Sequence, residues 1–454
     1  MRALTILPLL ALAGCNLAPR YTRPQAPVPG QFPGAPAPGT PEVPWDQTFT
    51  APGLQGVIRL ALANNRDLRS ASLTVERLQA AYRIQRAAIT PSAGLMANGN
   101  KYRLPEKLNS GTAKNVEQDS VQVGILSWEV DFFGRLRNLK DRALNQYLAS
   151  EAGRDAARLS LVSATAQAWL ALGADQESLR LAQGTWEAQK AVFDTIQARF
   201  KAGVASELDL RQAESQMESA RADLARLKGQ VAADRNALDL LAGTQVPPAL
   251  LPADLDASGL LKDVPAGLSS QVLLRRPDVR AAEFTLQAAN ANIGAARAAF
   301  LPRVSLTAGI GTLSPSVSAL FGSGTRTWSF APQIVSPIFA GGSLIAAVDA
   351  AKAERDQALA QYEGAIQAAF RDVADGLARR EALVEQVEAQ TALVNALKKA
   401  YELADLRYRA GLDGYLNVLV AQRSLYAAQQ GWVATRLAAK LNQVVLYKAL
   451  AGQI

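Results

Sequence analysis

The 454-residue sequence contains no histidine and a single cysteine, Cys15. Without histidine, every His-dependent catalytic triad is excluded, and the two shortages together exclude the usual imidazole and thiolate metal sites. A site built from carboxylates alone stays open. A chain with only one thiol forms no internal disulfide, which is consistent with export through an oxidising periplasm. The sequence therefore predicts no catalytic residue, no metal ligand and no cofactor-binding residue.

Proline is scarce outside one segment. Ten of the 22 prolines fall between Pro19 and Pro52, so this segment is predicted to be an extended tether that sustains neither a helix nor a strand ladder. No proline occurs between Pro105 and Pro247, or after Pro337. These two long stretches are rich in Ala, Leu, Gln, Arg and Glu, which are good helix formers. Very long helices are the prediction.

The charge of the chain is positive, with a net value of +8. Lys and Arg are interspersed with Asp and Glu along the helical stretches rather than gathered into one basic patch. This pattern is typical of solvated helix faces. We therefore expect no nucleic-acid partner.

The N-terminus carries Arg2 followed by an apolar run, Ala3–Ala13, that is too short to span a bilayer. This is the pattern of a signal peptide, predicted at 1–14. The four residues that end at Cys15 (LAGC) resemble a bacterial lipobox, which implies diacylglycerol and N-acyl (palmitate) chains on Cys15. The alternative is a small buried cysteine. Asn16, in place of an aspartate, favours the outer membrane.

The chain contains a duplication at an offset of roughly 210 residues, far longer than the period of a solenoid. Four pairs of segments show it: NNRDLRSA (64–71) with RRPDVRAA (275–282), RAAITP (86–91) with RAAFLP (297–302), 198–215 with 406–424, and LAG at 241–243 and 450–452. The predicted organisation is a signal peptide (1–14), an acylated Pro-rich segment (15–52), a first repeat (53–243), a linker (244–272) and a second repeat (273–454).

Each repeat contains a heptad pattern of apolar residues. Its members are Leu172, Leu179, Trp186, Phe193 and Phe200 in the first copy, and Val387, Val394, Tyr401 and Tyr408 in the second. A coiled-coil seam and a globular core stripe both give such a pattern, but about 68 uninterrupted residues make a rod of about 100 Å. The seams stop at Gly203 and Gly411, and a returning helix follows, so each repeat is predicted to hold an antiparallel helical hairpin.

A different pattern precedes each long helix. Four segments alternate apolar and polar residues as strands do: SAGLMANGN (92–100), VQVGILSWEV (121–130), RVSLTAGIGTL (303–313) and TWSFAPQI (327–334). Roughly ten residues suffice to cross a bilayer when a strand is tilted. Nearby aromatics are predicted either to form an interfacial girdle or to be ordinary core residues: Phe132, Phe133, Trp328, Phe330 and Phe339.

Four strands leave open edges, and each unsatisfied backbone group in lipid costs several kcal/mol. Closure into a barrel therefore requires other chains. Bacterial barrels have at least about eight strands, so two chains are the minimum and three give twelve. The physical argument leaves both numbers open.

The chain resembles the TolC-like outer-membrane efflux proteins, in their OprM-like lipoprotein branch. The motifs that carry the resemblance are LAGCNLAPRYTRP (12–24), SWEVDFFGRL (127–136), RRPDVRAAE (275–283), SPIFAGGSL (336–344) and RYRAGLDGYLNVLVAQRSL (407–425). The resemblance implies a mainly α fold with membrane β-strands. It implies a homotrimer with a 12-stranded β-barrel and a periplasmic α-barrel, lipid-anchored in the outer membrane. It further implies a passive exit duct, served by an inner-membrane RND pump and a periplasmic adaptor protein.

The same resemblance places the periplasmic tip and adaptor contact at the two hairpin turns. The residues are Gly203, Val204, Ala205, Ser206, Gly411, Leu412, Asp413 and Gly414. Family members often carry two aspartates just past the second turn, but this chain has Asn417 and Val420 there. Asp209 and Asp413 are the candidates to replace that charge at the gate. The alternative is that they are helix-start carboxylates favoured by the helix dipole.

Two other classes of protein compete with the channel. A coiled-coil structural lipoprotein or adhesin explains the seams but gives no role to strands of membrane length. A periplasmic carboxylate glycosidase has Asp and Glu in plenty, but no compact pocket-forming domain is evident. The channel is the interpretation that accounts for every motif.

Overall fold

The computed structural model describes residues 16–32, 45–108, 110–256 and 269–450. The predicted signal peptide (1–14) and Cys15 lie outside the described residues. In chain order the helices and strands are α1 Trp45–Thr48, α2 Pro52–Asn64, α3 Arg66–Ala87, β1 Ala93–Leu104, β2 Lys114–Val130, α4 Arg135–Lys201, α5 Glu207–Ala242, α6 Pro277–Ala298, β3 Arg303–Ser314, β4 Arg326–Val335, α7 Ser343–Arg409 and α8 Tyr415–Ala449. The mainly helical fold with four strands confirms the predicted fold class.

The duplication is visible in the elements. Helices α4 and α7 both have 67 residues, about 100 Å at 1.5 Å per residue, and α5 and α8 have 36 and 35. Helix α4 begins at Arg135 and α7 at Ser343, a separation of 208 residues that also relates α5 to α8. The predicted long helices and returning helices are therefore present in both copies.

The proline-rich segment departs from the prediction at its end. The one-turn helix α1 lies within 15–52, which was expected to hold no helix. It follows Pro44, and Pro52 is the first residue of α2. Proline fits the first turn of a helix because its missing N–H has no partner there in any case. Prolines that flank a short helix are compatible with it, whereas prolines inside one are not.

The chain forms two compact units. The sheet unit comprises the described residues within Met1–Gln25, Thr74–Glu151 and Ala281–Glu363. The hairpin unit comprises those within Ala26–Leu73, Ala152–Arg280 and Gly364–Ile454. Each unit takes segments from both sequence repeats. In the described parts of the chain, no helix combines the length and the apolar character needed to cross a membrane.

The hairpin unit buries part of the predicted heptad seam within one chain. Leu172 is fully buried, and Trp186 and Phe193 are half-buried, whereas Phe200 beside the first turn is exposed. Further from the turns, the ring of Phe49 packs edge-on against that of Tyr447 at 5.2 Å. The first seam is therefore buried or half-buried within α4 and exposed at Phe200, beside the first turn.

The sheet unit contains one antiparallel sheet with the strand order β1-β2-β3-β4. Strands β1, β3 and β4 lie close to their predicted bounds, but β2 has 17 residues and starts seven residues earlier than expected, at Lys114. The added residues are mostly polar, so alternation of apolar residues did not reveal them. Lys101 and Glu117 face each other across this part of the sheet and form an ion pair of 2.5 Å.

Candidate functional site

One face of the sheet is apolar and exposed. A row of side chains crosses all four strands in register and is more than half exposed: Leu95, Val123, Ile310 and Trp328. The next row of the same face contains Ile125, Ala308 and Phe330. An exposed apolar surface of this kind is unusual on a soluble sheet and is what a lipid-facing strand presents.

The opposite face of the sheet is rich in glycine. The row adjacent to Val123 holds Gly94, Gly124, Gly309 and Ser329, and the following row holds Met96, Gln122, Gly311 and Thr327. Gly124 is required by close approach, because a β-carbon there would overlap the carbonyl oxygen of Ala308.

The two outer strands leave the sheet open. Among the described residues, β1 pairs only with β2, and β4 pairs only with β3. Each outer strand therefore carries a row of backbone N–H and C=O groups that face away from the sheet. In lipid such groups must find partners.

The predicted tip residues form two short turns with the same backbone. Helix α4 ends at Lys201, Gly203 adopts a φ of 76°, and the Val204 amide donates to the carbonyl of Arg199 at 2.9 Å. At the second turn, Gly411 has a φ of 72° and the Leu412 amide donates to Arg407 at 3.0 Å. These are Schellman caps, which need glycine because other residues are strained at positive φ.

Within the hairpin unit, the two turns lie side by side. A small core joins them: Ile196, Ala213, Tyr415, Val418 and Leu419. The ring of Tyr408 packs against that of Tyr415 at 5.2 Å, and the Arg199 guanidinium donates to the Tyr408 hydroxyl at 3.1 Å. Burial raises the pKa of Tyr415 above its usual range. One chain therefore presents both turns as a single surface.

The first turn starts its next helix with a capping box. The Ser206 Oγ accepts the Asp209 amide at 3.1 Å, and the Asp209 carboxylate accepts the Ser206 amide at 3.2 Å. Asp209 is thus bound to its own helix start, as the helix-start alternative predicts. Ala205 packs on the core that joins the turns.

The second turn starts its next helix differently. In the described chain no side chain caps α8 at Gly414, and Asp413 instead accepts two hydrogen bonds from the Arg407 guanidinium, at 2.6 and 3.1 Å. These hydrogen bonds lower the pKa of Asp413 below its usual range. Asn417 and Val420 are exposed. Both candidate gate carboxylates therefore have local partners, and the role of the four residues at a gate stays a prediction.

Exposed aliphatic side chains lie at the turns; the sequence had already indicated three of them, Val204, Leu412 and Val420, but Leu208 and Leu416 were missed. Each is more than half exposed: Val204, Leu208, Leu412, Leu416 and Val420. Two pairs among them occupy equivalent positions in the repeats, Val204 with Leu412 and Leu208 with Leu416. That equivalence was the available signal, because an apolar residue that is retained outside the heptad pattern in both copies indicates an external contact.

A model described as "Outer membrane efflux protein" matches residues 57–244 and 268–452, which is most of the chain. The chain belongs to the outer membrane efflux protein family. This confirms the resemblance drawn from the motifs. The family is one of outer-membrane efflux channels and not an enzyme class, so the chain is the outer-membrane component of an efflux system.

Individual relatives align with this chain over nearly its whole length. The chain is 44% identical to the probable efflux pump outer membrane protein TtgC of Pseudomonas putida KT2440, over 97% of this chain and 93% of that protein. It is 40% identical to the outer membrane protein OprJ of Pseudomonas aeruginosa PAO1, over 98% and 95%. The open-state MtrE outer membrane channel of Neisseria gonorrhoeae superposes with a TM-score of 0.86 and 39% identity, covering 97% and 98% of the two chains.

Membership of this family decides between the three classes that the sequence left in competition. A structural lipoprotein and a glycosidase do not explain relatives that are outer-membrane efflux components. Among the described residues, there is no group of three or more Asp or Glu side chains that could hold a metal ion. The candidate functional site is therefore the two-faced sheet together with the surface formed by the two turns.

Proposed function

We propose that three copies of this chain close one twelve-stranded barrel in the outer membrane and one helical tunnel in the periplasm. Substrates then pass through it passively, driven by an inner-membrane RND pump. The observation that carries the proposal is the sheet, which has an exposed apolar face, a glycine-rich opposite face and two open edges. Four strands cannot close alone, and twelve form a barrel of ordinary size.

The free edge of β4 can be assigned from its hydrogen bonds. The Leu313 amide donates to the carbonyl of Thr325 at 2.8 Å. Antiparallel pairs alternate between bonded and non-bonded positions, so Ser329 bonds to β3 while the backbone groups of Trp328 and Phe330 face the free edge. Pro332 occupies the same set of positions, where the missing N–H removes no bond to β3.

The edge suggests a direct test. Phe330→Pro removes one N–H from the free edge and leaves the β3 ladder intact, while Phe330→Ala removes the same side chain and keeps the N–H. We expect Phe330→Pro to reduce trimers in native mass spectrometry and pores in planar bilayers, and Phe330→Ala to retain both. A wild-type chain that is monomeric and fully folded in detergent would contradict the proposal.

We further propose that the surface of the two turns contacts the periplasmic adaptor. The five exposed aliphatic side chains supply the apolar part of that surface. Leu412→Asp places a charge in it, and Leu240→Asp is the matched control, because Leu240 is an exposed leucine of α5 far along the chain from the turn. Loss of adaptor capture and of drug resistance is expected for Leu412→Asp alone. Equal loss in both variants would point to a general folding defect instead.

The closed mouth is proposed to be weakly acidic and partly apolar. Asp413 is paired with Arg407, and Asp209 is held in its capping box, which leaves little uncompensated negative charge at the turns. Single-channel conductance with and without divalent cations tests this. Weak block is expected, and strong block of the wild-type channel would show a more acidic ring than the pairing allows.

The anchor is proposed to be a lipid on Cys15, with diacylglycerol on the sulfur and an acyl chain on the amino group. Two or three acyl chains hold a protein on a membrane stably, since each buried methylene contributes about 0.8 kcal/mol. The mass of the N-terminal peptide from outer-membrane protein tests it. A peptide that begins at Cys15 with three acyl chains is expected, and Cys15→Ser should abolish the added mass.

A further inference from the structure

The N-terminal segment 16–23 lies outside any helix or strand, bends at Ala18 and is bound along α6. Its contacts fall on three α6 residues that are spaced seven apart: Arg23 binds the Glu283 carboxylate at 2.8 and 3.0 Å, the Asn290 amide donates to the Pro19 carbonyl at 2.8 Å, and Arg297 donates to the Leu17 carbonyl at 3.1 Å. Seven residues are nearly two helical turns, so these side chains lie on one face of α6. The segment therefore runs antiparallel to the helix. We call it the N-terminal strap.

The lengths of the strap and the helix match. From Arg23 to Leu17 an extended chain rises about 20 Å, and from Glu283 to Arg297 the helix rises about 21 Å. Gly294 allows the close contact, because a β-carbon there would lie 2.7 Å from the Ala18 amide. Cys15 is two residues further on, which is about 7 Å at full extension. Leu17, whose carbonyl accepts from Arg297, lies near the end of α6, just before β3 begins at Arg303.

An apolar groove of about 420 Å³ begins at this level, beside Leu17. Five apolar side chains line it, namely Leu17, Phe300, Leu301, Ile345 and Val348, together with three charged ones, Arg297, Asp349 and Lys352. Phe300 and Ile345 are exposed in the single chain, at 42% and 62%. The groove is therefore an apolar surface at the end of the sheet from which β3 enters the membrane.

We infer that this groove binds an acyl chain of the lipid on Cys15. The strap, through its contacts with α6, holds the lipid at the membrane end of the sheet. The inference rests on the proposed lipidation. The occupant follows from chain continuity, because Cys15 is covalently attached to the segment whose residue Leu17 forms one wall of the groove. Acyl methylenes gain from apolar burial, which the walls supply. The strap's three contacts hold the attachment point within reach of the groove.

Photocrosslinking in the full-length, membrane-expressed protein tests the inference. Ile345 is replaced by p-benzoylphenylalanine, and Ala347, which is exposed on the same helix outside the groove, is replaced in the control. After illumination and digestion, mass spectrometry should find an adduct that joins position 345 to the acylated N-terminal peptide. The control should give at least several-fold less of this adduct. The intact N-terminal peptide reports lipidation separately.

The outcomes separate the two proposals. An unmodified N-terminal peptide overturns both the anchor and the groove. A lipidated peptide with no adduct at position 345, or with adducts only to a second copy of the chain or to free phospholipid, overturns the groove and leaves the anchor intact.

The strap supplies an independent comparison. Asn290→Ala removes the contact to Pro19 and should lower the adduct yield several-fold with lipidation unchanged. Asn292→Ala, on the same helix, removes a contact to Glu354 and no strap contact, and should leave the yield unchanged. Trimer content of each variant confirms that it has folded. Equal yields in the two variants would show that the strap does not position the lipid.

Discussion

The two helical turns of the hairpin unit share a backbone and differ in chemistry. Gly203 and Gly411 form the same cap, with φ values of 76° and 72°. After the glycine, the first turn relies on the Ser206–Asp209 capping box, whereas the second has an ion pair between Arg407 and Asp413. Duplication has thus retained the geometry, while the charges that stabilise each turn have diverged.

The same divergence extends along the hairpins. Asp175 of α4 and Asp234 of α5 lie close together, and burial, followed by the hydrogen bond and charge of Asp234, raises the pKa of Asp175 to about 7. One oxygen of Asp234 is buried with no donor among the described residues, so a proton on Asp175 satisfies it. The equivalent positions 208 residues later are Leu383 and Asn442. The first hairpin is therefore sensitive to pH where the second is not.

The largest expected effect comes from giving the second hairpin the residue of the first. Asn442 is buried and donates to the Gly376 carbonyl at 2.9 Å. Asn442→Asp removes that donor and buries a carboxylate, so the free energy of unfolding should fall by about 2–4 kcal/mol at neutral pH. The loss should shrink in acid, where the carboxyl is protonated. Denaturant titration measures it, and the reciprocal Asp234→Asn should show no comparable loss.

The shared cap should give equal effects in the two copies. Gly203→Ala and Gly411→Ala each place a β-carbon at positive φ, which costs about 1–2 kcal/mol. Gly184→Ala in the interior of α4 is the matched control and should stabilise by about 0.5–1 kcal/mol, since nothing lies near its added carbon. Thermal unfolding of the three variants measures these changes in stability. Clearly unequal losses at the two turns would mean that their backbones are not equivalent in solution.

Asp175→Asn tests the acidic pair. In the folded protein the Asp175 carboxyl keeps its proton up to a pH of about 7, whereas in the unfolded chain it ionises near pH 3.8. The free energy of unfolding therefore falls as the pH rises from about 3.8 to about 7. Asparagine removes the penalty. We expect a gain of about 1 kcal/mol above neutrality, discounted for partial solvation, and no gain in acid. Asp194→Asn, at an exposed site on α4, should show no such pH dependence.

Ser206→Ala removes the half of the first capping box that the Ser206 hydroxyl supplies and keeps the half that the Asp209 carboxylate supplies. Helix caps of this type contribute about 0.5–1 kcal/mol, and a neutral hydroxyl contact is insensitive to salt. The loss should therefore be the same at low and high ionic strength. Amide hydrogen exchange at the start of α5 gives a local readout, and Ser215→Ala, within α5, serves as the control.

Asp413→Asn should have the smallest effect, and the opposite salt dependence. The ion pair with Arg407 is exposed and is screened at about 1 M salt, where the Debye length is about 3 Å. Because the pKa of Asp413 is lowered, its contribution is present at neutral pH and is lost as pH falls through that lowered pKa. A difference from wild type that persists in high salt would show that packing, not charge, holds this turn.

The sequence predicted the helices because two signals agreed. The absence of proline and the heptad pattern of apolar residues are both local properties of the sequence. Helices α4 and α7 lie within the stretches that these two properties mark. The start of β2 could not be found in this way, because polar residues such as Glu117 and Asp119 show no apolar alternation. Its pairing with β1 is set by register and by contacts such as Lys101 with Glu117.

At the turns, sequence reasoning found the glycines and left the aspartates open. The spacing of Ser206 and Asp209 is that of a capping box and could have decided the role of Asp209. The partner of Asp413 could not have been found, since Arg407 belongs to the preceding helix and reaches it only across the turn. Leu208 and Leu416 were missed, although their equivalent positions in the two repeats were a sequence signal that could have revealed them.

The pairing of β2 with β3 has a consequence for how the molecule is made. Val123 pairs with Ile310, and the entire first helical hairpin lies between them in the chain. The β1–β2 hairpin is therefore synthesised well before its partner, and it waits with an apolar face and an unpaired edge exposed. Strand pairing between distant segments is slow, and exposed edges aggregate. In the interval before β3 joins the hairpin, aggregation therefore competes with folding.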